Sequence, residues 1–190
     1  QMTLQGWKIS EAEAHEKFEW LTLGEMVKFS SNVGAAKFAL RLGASGFLAS
    51  LREAGMGVRT GLGVPGEIAG ILPTLKDVQP IRLANIGFGQ GLLVTPLQIA
   101  RAYAPFANGG FLVEPRLMSG PARPPRRILR PEVVAEVTQA LLDATSPTGT
   151  GSNAVPPGFS VAGKTGTAQT VDALGRYSTS RYVASFVGFA

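Results

Sequence analysis

Cysteine is absent from this sequence and histidine occurs once, at His15. Those absences remove metal sites built from Cys and His, and they remove a cysteine nucleophile. A Ser-His-Asp triad would have to use His15. That residue stands in the polar stretch Ser10 to Lys17, far from any Gly-x-Ser-x-Gly elbow, and is expected on the surface. No segment approaches the ~20 apolar residues that cross a bilayer, and no signal-peptide pattern opens the chain. A membrane anchor would therefore lie outside these residues. Charge is also scarce, at 16% of 190 residues against 45% hydrophobic. Such a composition excludes a disordered chain and suits one domain or a large part of one. It implies a large interior, or a surface that packs against something else.

What charge there is leans basic, with a net +5. A basic balance favours anionic partners. Most of the 18 basic residues are scattered, however, and the one cluster, Arg123, Arg126, Arg127 and Arg130, is interleaved with Pro121, Pro124, Pro125 and Pro131. It reads as an exposed connector. No aromatic residues alternate with it to stack bases, which argues against nucleic-acid binding.

The patterning predicts helices first and a hairpin last. A helix is expected to begin near Thr22 and to use Leu23, Met26 and Val27. Val33, Ala36, Ala39 and Leu40 share a second helical face, which Gly43 should stop. Another short helix should end near Gly55. Residues 57–75 are dense in glycine and proline and read as turns. Thr95-Pro96 caps a helix over 95–107, ended by Asn108-Gly109-Gly110. Pro131 to Ala144 forms another, with Val134, Val137, Leu141 and Leu142 inward. After the Pro-Thr-Gly-Thr-Gly loop at 147–151 the chain turns extended. Thr165–Val171 and Tyr182–Phe189 suit two antiparallel strands around a polar turn with Asp172, Gly175 and Arg176. The helical region covers about 1–145 and the hairpin about 158–190. A lone hairpin is marginal in water and needs further strands or a helix face.

Two short motifs carry chemistry. In Lys164-Thr165-Gly166-Thr167 a lysine brings positive charge and a proton donor. The glycine lets a substrate backbone lie close to a strand. The threonine hydroxyls can bind a carboxylate, and a backbone N–H can face a developing oxyanion. Alone, this reads equally as an ordinary strand start. Ser30-Ser31-Asn32 reads either as a helix N-cap or as a proton relay beside an amide that holds a peptide carbonyl. The Gly87-Phe88-Gly89-Gln90-Gly91 run lacks the strand, spacing and acidic residue of a nucleotide fingerprint and reads as structural.

Taken together the motifs point further. Penicillin-binding proteins and class A β-lactamases combine a Ser-x-x-Lys nucleophile, a Ser-x-Asn type element and Lys-Thr-Gly. The latter two occur here in that order. Over nearly its whole length the chain resembles the transpeptidase domain of class B penicillin-binding proteins. The resembling stretches are Ser-Ser-Asn-Val-Gly (30–34), TGLGVPGEIAGILP (60–73), GFGQGLLVTPLQIARAYAPFANGG (87–110), TGTGSNAV (148–155), VAGKTGTAQT (161–170) and YVASFVGFA (182–190). The first of them, and Val-Thr-Pro-Leu-Gln at 94–98, are more similar to division-type members.

The resemblance implies an α/β chain of the α+β type, a helical subdomain plus the antiparallel sheet of the penicillin-binding transpeptidase or serine β-lactamase-like fold, incomplete in this chain. It implies a peptidoglycan D,D-transpeptidase working through a serine acyl-enzyme on stem peptides, blocked by β-lactams, with no cofactor or metal. By carry-over, Ser30 relays protons and Asn32 holds the substrate or the nucleophile's lysine partner. Lys164 supplies electrostatics and proton traffic, Thr165 and Thr167 bind the terminal carboxylate, Gly166 keeps the strand edge open, and the Thr167 N–H serves the oxyanion. One departure is plain: no serine here has a lysine three residues later. The nucleophile is expected upstream of Gln1, a complementary stretch of the same protein is expected to finish the sheet, and these residues alone are expected to be inactive. The implied setting is the extracytoplasmic side of a bacterial inner membrane, anchored by an upstream segment, with a cell-wall glycosyltransferase and division proteins as partners. Two alternatives stay open: a serine β-lactamase or β-lactam sensor domain, and a non-catalytic binding or assembly fragment.

Overall fold

In the computed structural model the chain is described over residues 1–12, 18–121, 123–171 and 177–190, with the backbone alone at Val171 and Thr179. His15 and the turn with Asp172, Gly175 and Arg176 lie outside the described residues. The chain opens with a small antiparallel hairpin, β1 (Met2–Leu4) and β2 (Trp7–Ile9). This hairpin falls within the stretch read from sequence as helical. Three-residue strands are too short to show an alternation.

Helix α1 (Leu23–Lys28) starts where Thr22 predicts. The Thr22 hydroxyl accepts from the Glu25 N–H while the Glu25 carboxylate accepts from the Thr22 N–H, a reciprocal cap. Helix α2 (Asn32–Glu53) is two helices joined at a kink at Gly43, whose φ of 78° and ψ of 157° are non-helical. Glycine alone adopts that backbone cheaply, so the predicted stop is a kink and the chain resumes helix beyond it. Val33, Ala36 and Ala39 are buried, as their spacing requires. Val33 and Ala36, with Ile9 of β2 and Ala84, form a core cluster, flanked by Met2, Leu4, Leu40, Ile81 and Phe88. Ala84 belongs to α3 (Pro80–Gly87), a helix that the sequence reading did not assign. Its N-cap, Gln79, makes no side-chain bond, but Pro80 stands in its first turn and glycine at its end, boundary signals that the sequence reading did not use.

The glycine-rich stretch between α2 and α3 is irregular, as expected, and two side chains fix its shape. Glu67 accepts from the N–H and hydroxyl of Thr60 at 2.7 and 2.6 Å, closing the 60–67 loop on itself. These bonds, with backbone N–H groups of Gly63 and Leu62, hold the Glu67 carboxyl below its ordinary pKa against a smaller opposing burial effect. Gln98, fully buried in α4 (Pro96–Ala107), donates to the carbonyls of Val58 and Ala69, both at 2.8 Å, and accepts from the Thr95 N–H. The inward line of α4 is Gln98, Ala102 and Pro105.

The arginine-rich connector is exposed but more ordered than predicted. Arg126–Arg127 form β4 against β3 (Phe111–Leu112). The Arg127 guanidinium lies 4.1 Å from the Phe111 ring centroid, and Arg126 bridges to Glu53. Helix α5 (Pro131–Thr145) then leads to the long hairpin of β5 (Ala162–Val171) and β6 (Tyr177–Phe189). In that hairpin Lys164 pairs with Val187 and Gly166 with Ser185. Helix α5 lies against β5, buried through Ala140, Leu141 and Ala144. The buried Thr145 hydroxyl donates to the Val161 carbonyl and pins the helix end to the strand start. Helices on one side and an antiparallel hairpin on the other make this an α+β arrangement. Among the described residues the hairpin has no third strand, and Tyr182, Val183 and Phe186 stay exposed.

Candidate active site

Ser30 sits at the junction of α1 and α2 with φ at +57°, one of two non-glycine residues with positive φ among those described. The Ser31 N–H bonds to the Met26 carbonyl and the Ser30 N–H to the Val27 carbonyl. This is the Schellman ending of a helix, with Ser30 at the left-handed position that usually takes glycine. A serine there costs about 1 kcal/mol relative to glycine. The next residue, Ser31, takes the cap: its hydroxyl accepts from the Gly34 N–H at 3.0 Å. So Ser31 realises the N-cap reading, and Ser30 and Asn32 flank it.

Glu11 braces this turn. Its carboxylate accepts from the Ser31 hydroxyl at 2.8 Å, the Asn32 N–H at 2.7 Å and, more weakly, the Val33 N–H at 3.4 Å. A carboxylate also suits the positive end of a helix. The Asn32 amide nitrogen donates to the Ser10 carbonyl at 3.2 Å, and no bond among the described residues uses Asn32 Oδ1.

Lys164 lies on β5 one residue past the buried Val161–Gly163 run and is half-buried. Its Nζ donates to the Thr165 carbonyl (3.2 Å), the Thr165 hydroxyl (3.3 Å) and the Thr150 hydroxyl (3.4 Å). Its salt-bridge partners are none among the described residues. Burial pushes the ammonium below the ordinary lysine pKa, because desolvation disfavours the charged form. Thr165 donates in turn to Thr150 at 3.2 Å, so its hydroxyl turns toward the lysine. Thr167 is exposed and makes no side-chain hydrogen bond among the described residues. Gly166 is exposed as well. A Cβ there would come within 2.7 Å of Ser185 Oγ across the hairpin, so the missing side chain also makes room for β6.

The structure thus brings Lys164, Thr165 and Thr150 into one hydrogen-bonded group. No hydrogen bond among the described residues joins that group to Ser30 or Asn32. The link is through packing, since α1 lies against α5 and α5 against β5. Sequence reading missed Glu11 and Thr150 as site neighbours. A hint existed for Thr150, which lies inside the family-like TGTGSNAV stretch. Glu11 had none, as it meets residues twenty positions away.

Comparison with known proteins fits this geometry. The penicillin-binding protein transpeptidase domain model matches residues 1–190. A probable peptidoglycan D,D-transpeptidase, PenA of Neisseria gonorrhoeae, is 36% identical over 100% of this chain and 33% of its own length. The peptidoglycan D,D-transpeptidase FtsI of Escherichia coli is 35% identical over 92% of this chain and 30% of its own. Penicillin-binding protein 3 of Mycobacterium tuberculosis superposes with a TM-score of 0.87 at 33% identity, covering 97% of this chain and 45% of that one. It has also been solved with aztreonam and with ampicillin. The chain spans about a third of the length of these curated relatives. On this evidence the chain belongs to the transpeptidase domain family of the class B penicillin-binding proteins.

Proposed function

We propose that this chain supplies the Ser-x-Asn and Lys-Thr-Gly sides of the active site of a peptidoglycan D,D-transpeptidase, whose acylated serine belongs to a Ser-x-x-Lys element outside residues 1–190. The observation that carries the reading is Lys164. It is a half-buried ammonium held by two hydroxyls and a backbone carbonyl rather than by a carboxylate, on a strand whose other edge is unpaired among the described residues. A stem peptide ending in D-Ala-D-Ala brings an anionic terminus and an extended backbone. The first suits the lysine and the Thr167 hydroxyl, and the second suits the open edge. As the serine attacks, the Thr167 N–H and Lys164 stabilise the developing negative charge. With its lowered pKa, Lys164 releases a proton more readily than a surface lysine and takes part in proton transfer with Ser30. In this reading Asn32 Oδ1, which no described residue bonds, accepts from the lysine of the Ser-x-x-Lys element. D-Ala leaves, and an amine of a neighbouring stem peptide takes the acyl group.

We extend the reading to a division-type enzyme on the extracytoplasmic side of the inner membrane, anchored by a segment outside these residues and working with a cell-wall glycosyltransferase and division proteins. Among the described residues no helix is long and apolar enough to cross a membrane. The test uses the whole protein that carries this chain. Stable covalent labelling by a fluorescent penicillin, without appreciable nitrocefin turnover, is expected. Rapid turnover would make the protein a β-lactamase, and no labelling would leave only a binding or assembly role.

A further inference from the structure

We infer that Thr150 is a positioning residue of the active site, its hydroxyl holding the Lys164 ammonium and the Thr165 hydroxyl at one point. The inference rests on the acyl-transfer reading of Lys164 given above. Thr150 is the only residue outside β5 that bonds to Lys164 among those described, the other two contacts being to Thr165. Without it, a four-carbon side chain would be held only by its immediate neighbour, and both could turn together.

The loop that carries Thr150 is built to place it. The Ser146 hydroxyl donates to the Asp143 carbonyl at 2.7 Å, and the Gly149 N–H to the Ser146 carbonyl at 2.8 Å. The Gly151 N–H donates to the Ala144 carbonyl, also at 2.8 Å. These bonds fold the loop back over the open end of α5, satisfying carbonyls that have no partner within the helix. The approach is so close that a Cβ on Gly149 would run into the Ala144 carbonyl. One on Gly151 would meet the same carbonyl at 3.2 Å and the Phe186 ring at 3.6 Å. Thr145, at the loop's root, is bonded to Val161 just before β5 begins. Loop and strand are therefore fixed to the same helix end, and the Thr150 hydroxyl inherits that rigidity. This gives the Thr-Gly-Thr-Gly text a physical reason: the glycines permit the approach and the second threonine uses it.

The hydroxyl is an acceptor in both bonds, from Lys164 Nζ and from Thr165 Oγ1. Accepting from the ammonium favours its charged form, opposing the burial that disfavours it. Two elements pack on β5, and their charged side chains among the described residues are Glu132, Glu136 and Asp143 of α5 and Arg181 of β6. None of them bonds to Lys164. The two threonine hydroxyls and the Thr165 carbonyl are what hold it.

The test compares Thr150→Val, which keeps the shape and removes the acceptor, with Thr150→Ser, which restores it, in the whole protein. The rate constant of acylation by a fluorescent penicillin should fall at least about tenfold in the valine variant, the size expected for one hydrogen bond to a charged group. The serine variant should recover to within about threefold of the parent, and all three proteins should unfold at similar temperatures. Equal acylation of the valine variant and the parent would overturn the inference, as would an equal loss in both variants. A second readout does not depend on acylation. Labelling of Lys164 by an amine reagent, followed by mass spectrometry, should be about threefold faster in Thr150→Val than in Thr150→Ser, since losing the acceptor frees the amine. Unchanged labelling would overturn the contact itself. A parent protein that penicillin does not acylate, but whose Lys164 labelling responds as expected, would overturn the transpeptidase reading and leave the contact standing.

Discussion

At Ser30 the chain accepts a backbone conformation that glycine would take at lower cost. The neighbouring residues do not need its side chain for the helix junction, because Ser31 supplies the cap and Glu11 braces it. A strained residue that stability does not require points to its hydroxyl as the feature that matters. Ser30→Gly should therefore stabilise the fold by about 1 kcal/mol, read as a higher unfolding midpoint, while acylation by penicillin falls by about a hundredfold. A variant both stabler and equally active would remove Ser30 from the proton path. The residue scale is also where sequence reading stopped short. Lys164 and Thr165 could be picked from their motif, and the cap reading of Ser30-Ser31-Asn32 proved right for Ser31. Glu11 and Thr150 could not be picked, since each acquires its role only when the fold sets it against residues far away in sequence.

At the scale of elements, the helices with a cap or a proline start and a long periodic face were legible, and the short elements were not. Thr22 opens α1 and Thr95-Pro96 opens α4 through reciprocal caps, Pro131 opens α5, and Gly43 breaks α2. Helix α3 went unread although Pro80 opens it, since its eight residues are too few for a long periodic pattern, and the three-residue strands of the first hairpin are too short to alternate. The Gly-Leu-Gly-Val-Pro-Gly-Glu and Thr-Pro-Leu-Gln stretches gain their meaning together. Glu67 closes the loop, and the buried Gln98 amide fastens it to α4. Gln98→Leu keeps the volume but strands the carbonyls of Val58 and Ala69 and the Thr95 N–H, all bonded to a fully buried amide. It should cost about 3 kcal/mol, measured by denaturant unfolding. A loss below about 1 kcal/mol would mean that water or relaxation replaces the amide.

Across the whole molecule, the chain divides its work. The cluster of β2, α2 and α3 supplies a core, and α5 packs the hairpin against α1 and α4. The hairpin presents Lys164 to Thr167 along an edge that nothing described here covers. Its Tyr182, Val183 and Phe186 are exposed on the faces of the hairpin. The account comes down to whether this edge serves a serine lying elsewhere in the protein. The most direct measurement is to label the whole protein with fluorescent penicillin, with and without Lys164→Ala, and to map the acylated peptide. The account predicts a label on a serine outside residues 1–190, reduced at least about a hundredfold by the substitution. A label on a serine within these residues, or one that persists undiminished without Lys164, would contradict it.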